Sequence, residues 1–151
     1  MNTKQYQKEL LKACSREKLE EQHLRNMNID ISNHIEELHE ASKEWNDNKI
    51  KEKIGDLFFY LVNTFSFLDI EIDNISYLIP PSKNYIEELH KIKEDIKNEL
   101  ENFINKGKKI TVDNLTTLHL TLMELVTRCD FDASEILKNN LKKQKNERTI
   151  K

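Results

Sequence analysis

The chain has 151 residues, 34% of them charged and 37% apolar, and a net charge of −3. That balance offers no basic field for nucleic acid, and no apolar run reaches the ~20 residues that span a bilayer. The length fits a single domain, 1–151, long enough to bury roughly 68–70% of its unfolded surface.

Glycine and proline occur only twice each, so few breakers interrupt the chain and long helices are favoured. Residues 3 to about 25 read as a first helix, marked by Tyr6, Leu10, Cys14 and Leu24. Asn28-Ile29-Asp30 is expected to break it. Ser32 or Asn33 then caps a second helix, with Asn33 and Glu36 at capping-box spacing. Ile31, Ile35, Leu38, Ser42 and Trp45 share one face of that helix. Asn46-Asp47-Asn48 is turn-prone. A third helix runs from about 49 to 76, with Ile50, Ile54, Leu57, Leu61, Phe65 and Leu68 at helical spacing. Pro80-Pro81 bars any continuation. A fourth helix covers about 83–106 and stops near Gly107. Thr111 or Asp113 caps a fifth, about 113–129, and Asp130 or Asp132 opens a last one to about 147. No β-type alternation appears. The fold class is all-α, an antiparallel helical bundle.

Chemistry concentrates on helices two and three. Glu36, Glu37 and Glu40 crowd three carboxylates into about one turn. Asp56 stands at the mouth of a run, Leu57 to Leu68, that is apolar in almost every direction and so expected to be buried all round. The polar line left on that helix is Glu52, Asp56 and Asn63. Acids leading into a buried helix need a partner, because a buried unpaired charge costs several kcal/mol. A hard cation shared between the two helices supplies one, and oxygen-only ligands suit Mg²⁺ or Mn²⁺. Gly55 costs roughly 1 kcal/mol of helix propensity, which a close helix approach beside Asp56 would explain.

Glu36-Glu37-x-x-Glu40, followed by Ile54-Gly55-Asp56-Leu57-Phe58-Phe59-Tyr60-Leu61-Val62-Asn63, resembles the MazG-like nucleotide pyrophosphohydrolases of the all-α NTP pyrophosphatase superfamily, relatives of the dimeric dUTPases. The likeness covers roughly residues 30–70 well and 130–148 loosely, and 75–110 reads as an extra helical segment. It implies a Mg²⁺-dependent (or Mn²⁺-dependent) cleavage of NTP or dNTP between the α and β phosphates, giving a monophosphate and pyrophosphate. By the same resemblance the catalytic acids are Glu36, Glu37, Glu40 and Asp56, with Glu37, Glu40 and Asp56 as metal ligands and Glu36 orienting or deprotonating water. Asn63 would line the nucleotide pocket. Lys142, Lys145, Asn146 and Arg148 would contact phosphates. Tyr60, Phe59 and Trp45 are candidates to stack on a base. The chain departs from the E-x-x-D pattern at Lys53, three residues before Asp56, where a carboxylate is expected. Glu52, at i−4 of Asp56, shares that face and can take its place as a ligand.

Other readings compete. Lys53 favours a catalytically impaired helical module that binds nucleotide or a partner without turnover. Glu36-x-x-His39 and Glu87-x-x-His90, an echo within Ile35–His39 and Ile86–His90, have the spacing of di-iron bundles, with Glu52 or Asp56 as an intervening acid and Glu9, Glu17 or Glu20 on helix one. Against that, Glu36 lies opposite the apolar face of its own helix. Cys14 and Cys129 sit in apolar helical patterns and read as structural thiols, and the start of the chain lacks a leader pattern. The expectation is a reduced, cytoplasmic protein forming a homodimer or homotetramer, as the family does and as a third helix apolar on so many faces suggests.

Overall fold

The computed structural model describes residues 1–13, 21–44, 46–72, 85–106 and 113–149. Among them lie six α-helices and no strand: α1 (Thr3–Ala13), α2 (Glu21–Glu44), α3 (Asp47–Phe67), α4 (Tyr85–Lys106), α5 (Asp113–Arg128) and α6 (Ala133–Thr149). The all-α class follows directly.

Helix boundaries differ from the sequence reading at three places. Asn28-Ile29-Asp30 does not break the chain, and Ser32 and Asn33 cap nothing, because α2 runs unbroken from Glu21. Asn and Asp cost less than about 1 kcal/mol each inside a helix, and the buried stripe of Ile31, Ile35 and Leu38 anchors the helix through that stretch. Residues 21–25, read as the end of helix one, thus open α2. α3 stops at Phe67, short of 76. Asp69 takes a left-handed backbone (φ 60°), its N–H donates to Ser66 O at 3.0 Å, and Ile70 N–H donates to Phe65 O at 2.8 Å. This is a Schellman closure built on aspartate, a residue that tolerates the left-handed region better than most. Asp130 (φ 57°) ends α5 in the same way, with Phe131 N–H donating to Val126 O. Asp132 then caps α6, accepting from Ser134 N–H at 2.9 Å. Asn46 caps α3, accepting from Lys49 N–H. The proline pair, Gly107 and Thr111 lie outside the described residues.

α3 is the central element, packed by α1, α2, α5 and α6, while α4 packs on α2 and α5. Ile54, Leu57, Phe58, Leu61, Val62 and Phe65 have no exposed surface, as expected of a helix apolar nearly all round. They join Tyr6, Ile35, Leu38, Leu89, Leu118 and Leu137 in one core to which all six helices contribute. The chain's own helices thus cover α3, so its apolar faces no longer call for a second copy. Among the described residues Ile29, 55% exposed, is the large hydrophobic side chain left in solvent. No described helix is long and apolar enough to cross a membrane.

Candidate functional site

The site lies where α6 crosses α3, with α2 alongside. Gly55 sets the spacing. A Cβ there would meet Asn140 Cβ at 3.3 Å and Ile136 Cγ2 at 3.5 Å, so the missing side chain lets α6 come close beside Asp56. Asp56 is 4% exposed. Its Oδ1 accepts from Asn140 Nδ2 at 3.2 Å and from Lys143 Nζ at 3.0 Å, and its Oδ2 lies 3.3 Å from the same Nζ. Glu52, one turn earlier, reaches that Nζ as well, at 3.4 Å. Two carboxylates therefore converge on one cationic atom. Burial works against the Lys143 ammonium, but the hydrogen bond and charge of Asp56, helped by Glu52, outweigh it and raise its pKa.

From α2, Glu37 meets Lys53 Nζ at 2.7 Å. That hydrogen bond, followed by opposing burial and then the Lys53 charge, leaves the Glu37 carboxyl below its usual pKa. Lys53 thus stands against an acid of the other helix, as a built-in counter-ion. His34 lies between the two acids, its Nδ1 3.1 Å from Glu37 Oε2 and 3.9 Å from Asp56 Oδ2. The Tyr60 ring stacks on it, centroids 5.1 Å apart.

The remaining expected residues fall elsewhere. Glu36 is turned toward α4 and paired with Lys93, whose hydrogen bond and then charge lower its pKa. Glu40 is paired with Lys43 at 3.2 Å on the solvent side, 68% exposed. Asn63 is buried further along α3, and Phe59 is part of the core. Tyr60 already has His34 on its face and Phe59 at its edge. On α6, Lys142, Lys145 and Asn146 are exposed, with Lys145 4.0 Å from Glu9. The Arg148 side chain and Trp45 lie outside the described residues. The face of α6 that meets α3 is the one carrying Ile136, Asn140 and Lys143, and at about 100° per residue the neighbours of Lys143 at 142 and 145 point away from it.

Asn140, Lys143 and His34 are therefore the site residues missed from sequence. Asn140 and Lys143 had a signal, since they share a face with Ile136, Leu137 and Leu141 at spacings of three and four. His34 shares a face with Glu37 at i, i+3, but its nearness to Asp56 depends on how α2 and α3 pair.

Beside Glu52 and Lys143 opens a cleft of about 380 Å³ between α3 and α6, with Gly55 and Ile136 in its wall and Asn48, Lys51 and Asn139 also lining it. That volume falls in the range of small-molecule sites. Mg²⁺ is commonly held by one or two carboxylates plus substrate phosphates, keeping waters. Glu52 and Asp56, converging on one point at a cleft, fit that mode. Glu37 and Glu40 do not reach the point, and among the described residues no group of three or more His, Cys, Asp or Glu side chains is placed to hold a metal ion. The Glu-x-x-His echo meets across α2 and α4, where the His39 and His90 rings touch edge-on with centroids 4.4 Å apart. Glu36 is turned onto Lys93 there, and the Glu87 side chain lies outside the described part. Compared with models of known protein families, with curated proteins and with solved structures, the chain matches none.

Proposed function

We propose that the chain is a Mg²⁺-dependent nucleoside triphosphate pyrophosphohydrolase of MazG-like type, cleaving an NTP or dNTP between the α and β phosphates. The observation that carries this reading is the convergence of Glu52 and Asp56 on one cation position, now filled by Lys143 Nζ, at the edge of a cleft of ligand size. Charge supports it too. Glu37, Glu52 and Asp56 against Lys53 and Lys143 leave one net negative charge, unsuited to a bare triphosphate and suited to one that arrives with a divalent cation.

Glu52 and Asp56 would hold the metal, which would supply charge neutralisation for the phosphates and a more acidic water. Lys143 leaves the two carboxylates and pairs with phosphate oxygens. Its side chain is 37% exposed and its stem flexible, so the exchange needs no movement of α6. His34 Nδ1, facing the Glu37 and Asp56 carboxylates, carries its proton toward them and so steadies the two acids instead of accepting a proton from the attacking water. Lys53 stays on Glu37 and keeps that acid from repelling the substrate.

The 2.7 Å contact between Lys53 and Glu37 also favours a second reading, a MazG-like module that binds nucleotide or a partner without turning it over. A panel of NTPs and dNTPs, assayed for pyrophosphate with Mg²⁺, with Mn²⁺ and with EDTA, separates the two. Metal-dependent release from at least one nucleotide supports the hydrolase and names its substrate. Binding of a nucleotide without release of pyrophosphate points to the module.

A further inference from the structure

Tyr6, Asn140 and Asp56 come from α1, α6 and α3, and they are 0%, 5% and 4% exposed. The Tyr6 hydroxyl donates to Asn140 Oδ1 at 2.5 Å, and Asn140 Nδ2 donates to Asp56 Oδ1 at 3.2 Å. An asparagine amide has a donor end and an acceptor end, and a half-turn exchanges them. The Asp56 carboxylate, which can only accept, draws the donor end toward itself, and the Tyr6 hydroxyl, donating to Oδ1, holds the amide from its other end. A flipped amide would set its oxygen against a buried carboxylate with no proton between them, an arrangement that low-dielectric surroundings penalise. Gly55 makes the approach possible, since a Cβ there would meet Asn140 Nδ2 at 3.4 Å. Asp56 thus has one partner in buried Asn140 and a second in half-exposed Lys143, which lines the cleft.

We infer that Tyr6 and Asn140 are positioning residues that hold the Asp56 carboxylate in one orientation, so that the edge facing Lys143 receives a cation: Lys143 Nζ at rest, a divalent metal ion with substrate. The metal half of this rests on the proposed function, whereas the orienting half stands on the hydrogen bonds alone. A plain helix-docking contact would use the same bonds, so the test must read more than stability.

Tyr6→Phe removes the hydroxyl and keeps the ring. Two quantities are read by NMR: hydrogen exchange of the Asn140 side-chain amide, and Mn²⁺ affinity from paramagnetic broadening. Gln7→Met is the control. It sits on the same helix and removes bonds to Ser66 Oγ, Ile70 O and Ile72 N–H, away from Asp56. In Tyr6→Phe the Asn140 amide should exchange faster and Mn²⁺ should bind roughly two- to tenfold more weakly, the span of one lost hydrogen bond. Gln7→Met should melt at a lower temperature with both quantities unchanged. A Tyr6→Phe protein that melts lower yet keeps wild-type exchange and Mn²⁺ affinity overturns the inference. Should the wild type bind no Mn²⁺, the hydrolase reading falls separately, and the exchange rate decides by itself: faster upholds the orienting role, unchanged overturns it.

Discussion

Lys53 stands three residues before Asp56, and its ammonium lies 2.7 Å from Glu37 on the facing helix. Lys53→Glu replaces that counter-ion with an acid and adds a carboxylate one turn from Asp56. Since cation affinity follows ligand charge, the variant should bind Mg²⁺ roughly tenfold more tightly by calorimetry, and unchanged or weaker binding would place Lys53 outside the metal's reach. His119 tests burial instead of charge pairing. It packs edge-on to Phe58, and burial lowers its pKa from 6.5 to about 4. The unfolded chain therefore binds this proton between pH 6.5 and about 4 while the folded chain does not. The stability that neutral His119 allows is complete above pH 6.5 and is lost as pH falls toward 4, with a slope of up to about 1.4 kcal/mol per pH unit. His119→Leu should flatten that limb in denaturant titrations run across the window. An acid limb as steep as that of the wild type would trace the loss to other groups.

Between elements, the contact that matters is α3 against α6 at Gly55. Gly55→Val puts a branched side chain where even a Cβ meets Asn140 at 3.3 Å. Overpacking of this kind costs about 1–3 kcal/mol, seen as a lower melting temperature, together with faster exchange of the Asn140 side-chain amide. A variant as stable as the wild type with that amide still protected would mean α6 has room to spare. The close approach at Gly55 was legible in the sequence, because a glycine inside a strong helical pattern needs a packing reason. So was the burial of α3, from its apolar residues in every direction. What meets Gly55 was not legible, since it depends on the roll of α6 about its own axis. Its many lysines and asparagines hide the face carrying Asn140 and Lys143 until Ile136, Leu137 and Leu141 are seen to point inward. The end of α3 was missed for a local reason: it closes on Asp69, an aspartate with positive φ, in place of a glycine or proline.

At the scale of the molecule, the six described helices share one core, and α1, α3 and α6 meet at Asp56 from parts of the chain far apart in sequence. The acids on α2 and α3 were visible from the start, but their pairing was not. Lysines answer Glu36, Glu37, Glu40, Glu52 and Asp56 one by one, and only Glu52 and Asp56 share a cation. The proposed metal position is accordingly on α3, against α6, with the α2 carboxylates outside it. The most direct measurement is product analysis: wild-type protein and Asp56→Asn, each checked for folding, are incubated with the preferred triphosphate and Mg²⁺. Equal amounts of monophosphate and pyrophosphate from the wild type, none with EDTA, and a loss of at least about a hundredfold in Asp56→Asn are expected. Folded wild-type protein that releases neither product from any nucleotide, or an Asp56→Asn variant as active as the wild type, would contradict the central claim.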